Sequence, residues 1–250
     1  MLSFVVAYNK KDVLEQNFLS SSCINEGKYQ IIIEKGKSSA SLTYNSALDN
    51  VNNQYVVFAH QDVYFPTGWD ERLLIEIKNI EKTSRPWGVI GCIGINSGGS
   101  TCGHVYSNGL GRILGSSGSR EKASTIDEMV IVLNRKAEIQ FDNKLPGYHL
   151  YGTDICFEAK KKRLENYIIK NFCIHNSLPV INLDNSFWKA CNFIRKKWSD
   201  DLPITTTCIK LSKNYINYLI HKTNKNISYF LAAKSKGFIE RIKNPKDFTY

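Results

Sequence analysis

Tyr55-Val-Val-Phe-Ala-His-Gln-Asp-Val-Tyr64 is the stretch whose reading decides the fold of this chain. Five apolar residues, Tyr55 to Ala59, give way abruptly to His60, Gln61 and Asp62. A short run of Tyr, Val and Phe without polar alternation reads as a parallel strand buried on both faces. Parallel α/β sheets bind their ligands just outside the carboxyl ends of the strands. Asp62 is therefore expected at the lip of the sheet with its carboxylate toward a crevice, although an acid in this position also serves as a plain loop cap. Phe65-Pro-Thr-Gly68 then signals a turn, and a helix is expected from Gly68 to about Lys82, burying Trp69, Leu73, Ile77 and Ile80.

The flanking chain repeats this rhythm. Ser3 to Ala7 reads as a first strand ending in Tyr8-Asn9, followed by a helix from about Asp12 to Cys23. Tyr29 to Glu34 reads as a second buried strand, and Ser38 to Val51 as a helix capped by Ser38 or Ser39. Strand–helix–strand–helix–strand at this pace implies right-handed βαβ units and a parallel sheet. Downstream, Trp87 to Ile95 is another apolar strand. Asn96 to Gly118 holds seven glycines in 23 residues without a P-loop or dinucleotide pattern. It reads as a flap over a site or as a long surface loop. Ile126 to Asn134 resumes a strand pattern, and a helix is expected from Ile155 to about Leu164 with Thr153 or Asp154 at its head. Strands are expected at Tyr167 to Ile174 and Leu178 to Asn182, on either side of His175-Asn-Ser177.

At 250 residues the chain can bury a full core. No apolar run approaches the roughly 18–20 residues that span a bilayer. Met1 to Ala7 lacks the basic leader of a signal peptide, so a cytosolic protein is expected. The seven cysteines are scattered and never spaced C-x-x-C, which argues against a zinc knuckle or a disulfide framework and for reduced, structural thiols. Charge is uneven: residues 1–188 hold 20 Lys and Arg against 19 Asp and Glu, whereas residues 189–250 hold 13 against 4. That asymmetry predicts a basic, aromatic, helical extension over 187–250 beyond a main domain at 1–186.

Six features now stand in order: strand-Tyr8-Asn9, strand-Glu34, a helix carrying Asn45, strand-His60-Gln61-Asp62, Tyr151-Gly-Thr-Asp154 before a helix, and His175-Asn-Ser177. Together they resemble the family-2-like nucleotide-sugar glycosyltransferases of GT-A fold, in the branch that includes the StrF-type streptomycin-biosynthesis domain. The resemblance covers roughly residues 1–185 and implies an α/β, Rossmann-like, mostly parallel sheet flanked by helices. It also implies the site. Asp62 matches the last acid of the D-x-D motif, a ligand of Mn2+ or Mg2+ bridging the donor diphosphate, with His60 in place of the first acid. Tyr8, beside Asn9, and Glu34 match positions lining the base and ribose of the nucleotide, a UDP-sugar being the expected donor. Asn45 flanks that pocket, and Gln61 lies within the motif. Asp154 matches the catalytic base, preceded by Thr153 where the family has an acid, and His175 matches a late histidine completing the metal site.

These residue types suit the chemistry on their own terms. A diphosphate leaving group is helped by a hard cation held by a carboxylate and imidazole with open positions. A sugar hydroxyl attacking an anomeric carbon needs a carboxylate within hydrogen-bond reach. A carboxylate at a helix N-terminus is kept ionised by the macrodipole. A base on one side and a metal on the other suit single displacement with inversion, onto a glycan or lipid-linked acceptor in surface-polysaccharide or glycoconjugate synthesis. The substitutions at His60 and Thr153 also suit a nucleotide-sugar-binding module without turnover. The basic, aromatic tail (Phe193, Arg195, Lys197, Trp198, Tyr215, Tyr218, Lys222, Tyr229, Phe230) suits a peripheral patch on the inner face of an anionic membrane or a helical appendage packed on the core. Cations and aromatics also suit single-stranded nucleic acid, but no recognised nucleic-acid module accompanies them.

Overall fold

The computed structural model describes residues 1–83, 85–180, 183–235 and 239–248, with the backbone alone over 229–235. The opening stretch is a strand, β3 (Tyr55–His60), and it runs parallel to β1 (Leu2–Tyr8), which in turn runs parallel to β2 (Gln30–Lys35). Its apolar run is continuous because both faces are covered. Val56 and Phe58 enter one hydrophobic cluster, while Val57 and Ala59 enter the other. β1 divides the same way, Val5 to the first and Phe4 and Val6 to the second. Period-two side-chain alternation therefore places a core on each side of the sheet.

On one face, α3 (Ala40–Leu48) packs Tyr44 against Phe58 with ring centroids 4.8 Å apart, and Phe141 and Tyr151 join this aromatic group. Ser39 caps the helix, its hydroxyl accepting from the Leu42 N–H. On the other face, α4 (Trp69–Glu81) buries Trp69, Leu73, Ile77 and Ile80 as expected. Among the described residues the sheet has 12 strands along the path β2-β1-β3, β10 (Val130–Asn134), β5 (Trp87–Gly91), β11 (Glu165–Ile168), β9 (Glu121–Ile126), β6 (Ile93–Asn96), β7 (Thr101–Ser107), β12 (Cys173–His175) and β4 (Val63–Tyr64), with β8 (Arg112–Gly115) beside β7. β10 (Val130–Asn134) lies antiparallel between β3 and β5 (Trp87–Gly91). The α/β class and its helix-flanked, curled central sheet agree with expectation.

Several boundaries differ from the sequence reading, each for a visible reason. The helix expected from Asp12 to Cys23 is broken into α1 (Lys11–Gln16), a 3-10 turn (Phe18–Ser20) and α2 (Ser22–Asn25). Asn17 leaves helical geometry there, at φ −119° and ψ −84°, and is fully buried. The strand expected from Trp87 to Ile95 is two, β5 and β6 (Ile93–Asn96). The glycine-rich segment is neither flap nor irregular loop but the paired strands β7 (Thr101–Ser107) and β8 (Arg112–Gly115). Its glycines permit close backbone approach: a Cβ on Gly103 would lie 2.3 Å from the Cys92 carbonyl oxygen.

Ile126 closes β9 (Glu121–Ile126) rather than opening the next strand, so Asp127-Glu-Met129 becomes a turn before β10. α5 (Tyr151–Lys161) begins four residues earlier than expected, after Leu150 at φ 62°. Tyr167 to Ile174 divides into β11 (Glu165–Ile168) and β12 (Cys173–His175), and residues 178–180 are not strand, while 181–182 lie outside the described residues.

The expected boundary at 186/187 falls inside α6 (Asn185–Lys197), which buries Phe187, Trp188, Cys191 and Ile194 in the same cluster as Phe58 and Tyr151. A small hairpin follows, β13 (Ile204–Thr205) with β14 (Lys210–Leu211), and then α7 (Tyr215–Ser235). Tyr229 and Phe230 of the expected aromatic tail have side chains outside the described residues. Among the described residues no helix is long and apolar enough to cross a membrane.

Gly115 provides a test of the β7–β8 packing. It sits at φ +73°, and a Cβ there would fall 1.9 Å from the Gly103 carbonyl oxygen. Gly115→Ala is expected to cost roughly 1–3 kcal/mol through strain and displaced backbone. Denaturant titration reads this directly, and an unchanged midpoint would rule the packing out.

Candidate functional site

The carboxyl ends of β1, β2 and β3 open into a cavity of about 320 Å³ lined by Tyr8, Asn9, Gly36, Lys37, His60, Gln61, Asp62 and Tyr148, among others. This is the crevice that the parallel β2-β1-β3 order predicts. Gln61 locks its rim: its Oε1 accepts from the backbone N–H groups of Asn9 and Lys10, both at 3.0 Å, and its Nε2 donates to Asn9 Oδ1 at 2.6 Å. Tyr148 closes the opposite side, donating through its hydroxyl to the Lys37 carbonyl at 3.0 Å. Gly36 is needed at this point, because a Cβ on it would lie 2.7 Å from that hydroxyl.

Asp62 lies just past the end of β3 and His175 at the end of β12. His175 Nε2 is 3.4 Å from Asp62 Oδ1, and the His60 and His175 rings are 5.8 Å apart. One ligand atom from each of His60, Asp62 and His175 falls within 4.8 Å of the other two, so a single cation fits this set. Burial works to raise the Asp62 carboxyl, but His175 and His60 beside it hold it well below the usual carboxylate range. Burial lowers the His60 imidazole, which keeps it neutral and able to ligate. Burial also works against a charged His175, yet the Asp62 carboxylate outweighs it and the net shift is upward. His60 Nε2 and the Tyr151 hydroxyl are 2.9 Å apart, and that hydroxyl donates to the Glu128 carbonyl at 3.1 Å.

Asn176 joins this centre to the end of the chain. Its backbone N–H donates to the Asp62 carbonyl at 2.8 Å, and its Nδ2 donates to Asn17 Oδ1 and to the Ile242 carbonyl. Its Oδ1 accepts from the Ile242 N–H, and its carbonyl accepts from Arg241 Nε at 3.0 Å. Arg241 thereby comes near enough to Asp62 to help lower its carboxyl.

The sequence-predicted residues thus divide. Tyr8, Asn9, His60, Gln61, Asp62 and His175 come together around one centre. Glu34 stands on β2 beside Ala7, outside the lining of the cavity. Asn45 is a clasp, donating to the Phe141 carbonyl and Asn143 Oδ1 and accepting from the Phe141 N–H. Asp154 is 1 % exposed and not at the cavity. Its Oδ2 accepts from Lys197 Nζ at 2.9 Å and its Oδ1 from Trp198 Nε1 at 2.7 Å. Burial raises its carboxyl, and Lys197 and Trp198 offset only part of that. With α5 starting at Tyr151, Asp154 falls in its first turn, on the side met by Lys197 and Trp198 at the end of α6. Tyr148, Lys37, Arg241 and Asp127 carried no local sequence signal, because each is brought in by a loop or turn distant in the chain.

Lys197 lies between three carboxylates, 2.8 Å from Asp142, 2.9 Å from Asp154 and 2.7 Å from Glu158. Those acids alone have the spacing of a cation site, and the lysine ammonium fills that role. Lys197→Met is expected to destabilise the protein by roughly 2–4 kcal/mol, the lower end reflecting the partial exposure of the lysine. Thermal melting of the variant beside the parent protein checks this.

Comparison with known proteins agrees with this architecture. No curated protein matches the chain. GalNAc-T7, solved with UDP, GalNAc and Mn2+, superposes with a TM-score of 0.53 at 8% identity, covering 80% of this chain and 49% of that one. The mannosyltransferase PcManGT from Pyrobaculum calidifontis, solved with GDP-Man and Mn2+, gives 0.49 at 9% identity, covering 94% and 75%. The fold is thus the GT-A glycosyltransferase fold. The sequence model of a glycosyltransferase-like family matches residues 3–198, more than half of the chain, and the chain belongs to that family.

Proposed function

We propose that this protein transfers a sugar from a nucleotide diphosphate, a UDP-sugar first among candidates, to a hydroxyl acceptor with inversion, and that it groups with the StrF-type branch. The observation that carries the proposal is the convergence of His60, Asp62 and His175 at the mouth of the β1–β3 cavity. Carboxylate and imidazole ligands suit Mn2+ or Mg2+, and the structures of GalNAc-T7 and PcManGT both contain Mn2+ beside a nucleotide or nucleotide-sugar. Such an ion, when bound, neutralises charge on the departing diphosphate. The chain's own residues divide the remaining work. Tyr8, Asn9, Lys37 and Tyr148 line the space for the nucleoside. Arg241, oriented by the Asn176 carbonyl, adds a fixed cation next to Asp62, where a guanidinium suits phosphate oxygens. Tyr151 orients His60. A non-catalytic module would bind nucleotide equally well but would leave acceptors unmodified.

Calorimetric titration with UDP tests the donor site. Affinity is expected to depend on Mn2+ and to fall at least about tenfold in Asp62→Ala, the loss of a charged ligand being worth more than roughly 1.4 kcal/mol. Metal-independent binding of equal strength would overturn the assignment of Asp62 as a ligand.

We further infer a peripheral membrane location, with a lipid-linked acceptor in surface-glycan or glycoconjugate synthesis. Ile216, Ile220 and Ile227 of α7 are 67%, 50% and 51% exposed and share one helical face, while Tyr218 on the opposite face is buried. The surrounding segment carries the excess of 13 basic over 4 acidic residues. An exposed apolar stripe with cationic surroundings suits the surface of an anionic bilayer. Vesicles containing phosphatidylglycerol are expected to sediment the protein, and Ile216→Asp with Ile220→Asp to release it. Binding to neutral vesicles alone, or dimerisation through this face in light scattering, would count against the idea.

A further inference from the structure

A second cleft, of about 240 Å³, has His175 in its wall and is lined chiefly by Ile93, Val105, Leu114, Met129, Leu178 and Val180. His175 belongs to its wall, while Asp62, to which His175 is paired, belongs to the wall of the first. The contact between Asp62 and His175 therefore links the walls of the two cavities. One carboxylate opens into the second cleft. Asp127, in the turn between β9 and β10, lines it, and its charge is among those acting on both His60 and His175. That carboxylate is oriented from two sides: Thr207 Oγ1 donates to Oδ2 at 2.7 Å, and the Met129 N–H donates to Oδ1 at 3.2 Å. Thr207 and Cys208 reach the cleft from the β13–β14 hairpin, so the C-terminal segment completes it. Glu128, next in the chain, lines neither cavity. Burial, with Asp127 beside it, pushes its carboxyl up to about 8, so it holds a proton at neutral pH.

We infer that this cleft is the acceptor site, that the acceptor is an alcohol whose hydroxyl lies beside an aliphatic segment, and that Asp127 receives the proton of that hydroxyl. The inference rests on the donor assignment above and adds the acceptor class to it. The acceptor oxygen forms a bond to the anomeric carbon as the bond from that carbon to the diphosphate oxygen breaks. The diphosphate leaves with the electron pair, and the hydroxyl proton passes to an Asp127 carboxylate oxygen. A purely polar acceptor would leave the walls of Ile, Val, Leu and Met without a partner and would itself lose water without compensation. An aliphatic segment there gains transfer free energy for each methylene buried.

The probes are octyl β-D-glucoside, below its micellar concentration, and methyl β-D-glucoside, titrated by ligand-observed NMR into the full chain. The octyl compound is expected to bind at least about tenfold more tightly, since only two buried methylenes supply that factor. Leu178→Asp, at a residue already 42% exposed, and independently Leu114→Arg are expected to abolish the preference. UDP affinity in the presence of Mn2+ should be unchanged in both. Asp127→Asn is expected to lower sugar transfer to octyl glucoside by about a hundredfold or more while UDP affinity stays within twofold. Equal affinity for the two glucosides, a preference that survives both cleft variants, or wild-type transfer by Asp127→Asn would overturn the proposal. Because glucoside binding is read without nucleotide, absence of UDP binding would sink the donor assignment while leaving the cleft measurement intact.

Discussion

One buried residue, Asn176, ties the loop that carries Asp62 to three distant segments through its backbone and its side-chain amide together. It has no exposed surface, and all its polar groups are used: toward Asp62, Asn17, Arg241 and Ile242. A buried amide left unpaired costs about 1–3 kcal/mol, so each partner is held where the amide can reach it. Through this one residue the loop after β3, the break between α1 and α2, the end of β12 and the last segment of the chain take fixed positions. The Asp62–His175 pair sits on the resulting frame. Asn17 leaves helical geometry for the same reason, with its own Nδ2 donating to the Val13 carbonyl and its Oδ1 accepting from Asn176.

The centre holds one carboxylate and two imidazoles, which makes it less negative than a pair of acids would be. His60 is kept neutral by burial, and its orientation is set by Tyr151 at the first turn of α5. Tyr151 is in turn packed against Tyr44 and Phe141, aromatic residues of the core. The hydrophobic packing of α3 and α5 thus extends, through two hydrogen-bonding rings, to the position of a candidate ligand. Arg241 adds positive charge close enough to help hold the Asp62 carboxyl down.

The C-terminal segment has two roles that its composition does not separate. Part of its charge is internal: Lys197 neutralises Asp142, Asp154 and Glu158 beneath α6, and Arg195 lies 4.4 Å over the ring of Tyr218. Its apolar residues complete the core on one side of the sheet, Thr207 and Cys208 line the second cleft, and Arg241 donates to the Asn176 carbonyl beside Asp62. Among the described residues of this segment, the exposed aliphatic side chains lie on α7.

Short-range features were legible in the sequence. The unbroken apolar run at Tyr55 to Ala59 required a strand buried on both faces, and the polar residues after it required a sheet edge with a crevice. Both follow from local hydrophobicity, whereas Tyr8, His60 and His175 are singled out by what the family resemblance implies. The order of the strands was not legible, since the antiparallel insertion of β10 beside β3 depends on packing between segments some 70 residues apart. Glycines in 96–118 looked like looseness because a sequence does not show which backbone will pass within 2.3 Å of them. Asp154 carried a helix-terminus signal, but its burial against Lys197 and Trp198 depends on α6, a contact no local stretch shows. Residue type and local pattern determined which groups can do chemistry in this protein; only the tertiary structure decided which of them share a cavity, because that depends on contacts no local stretch contains.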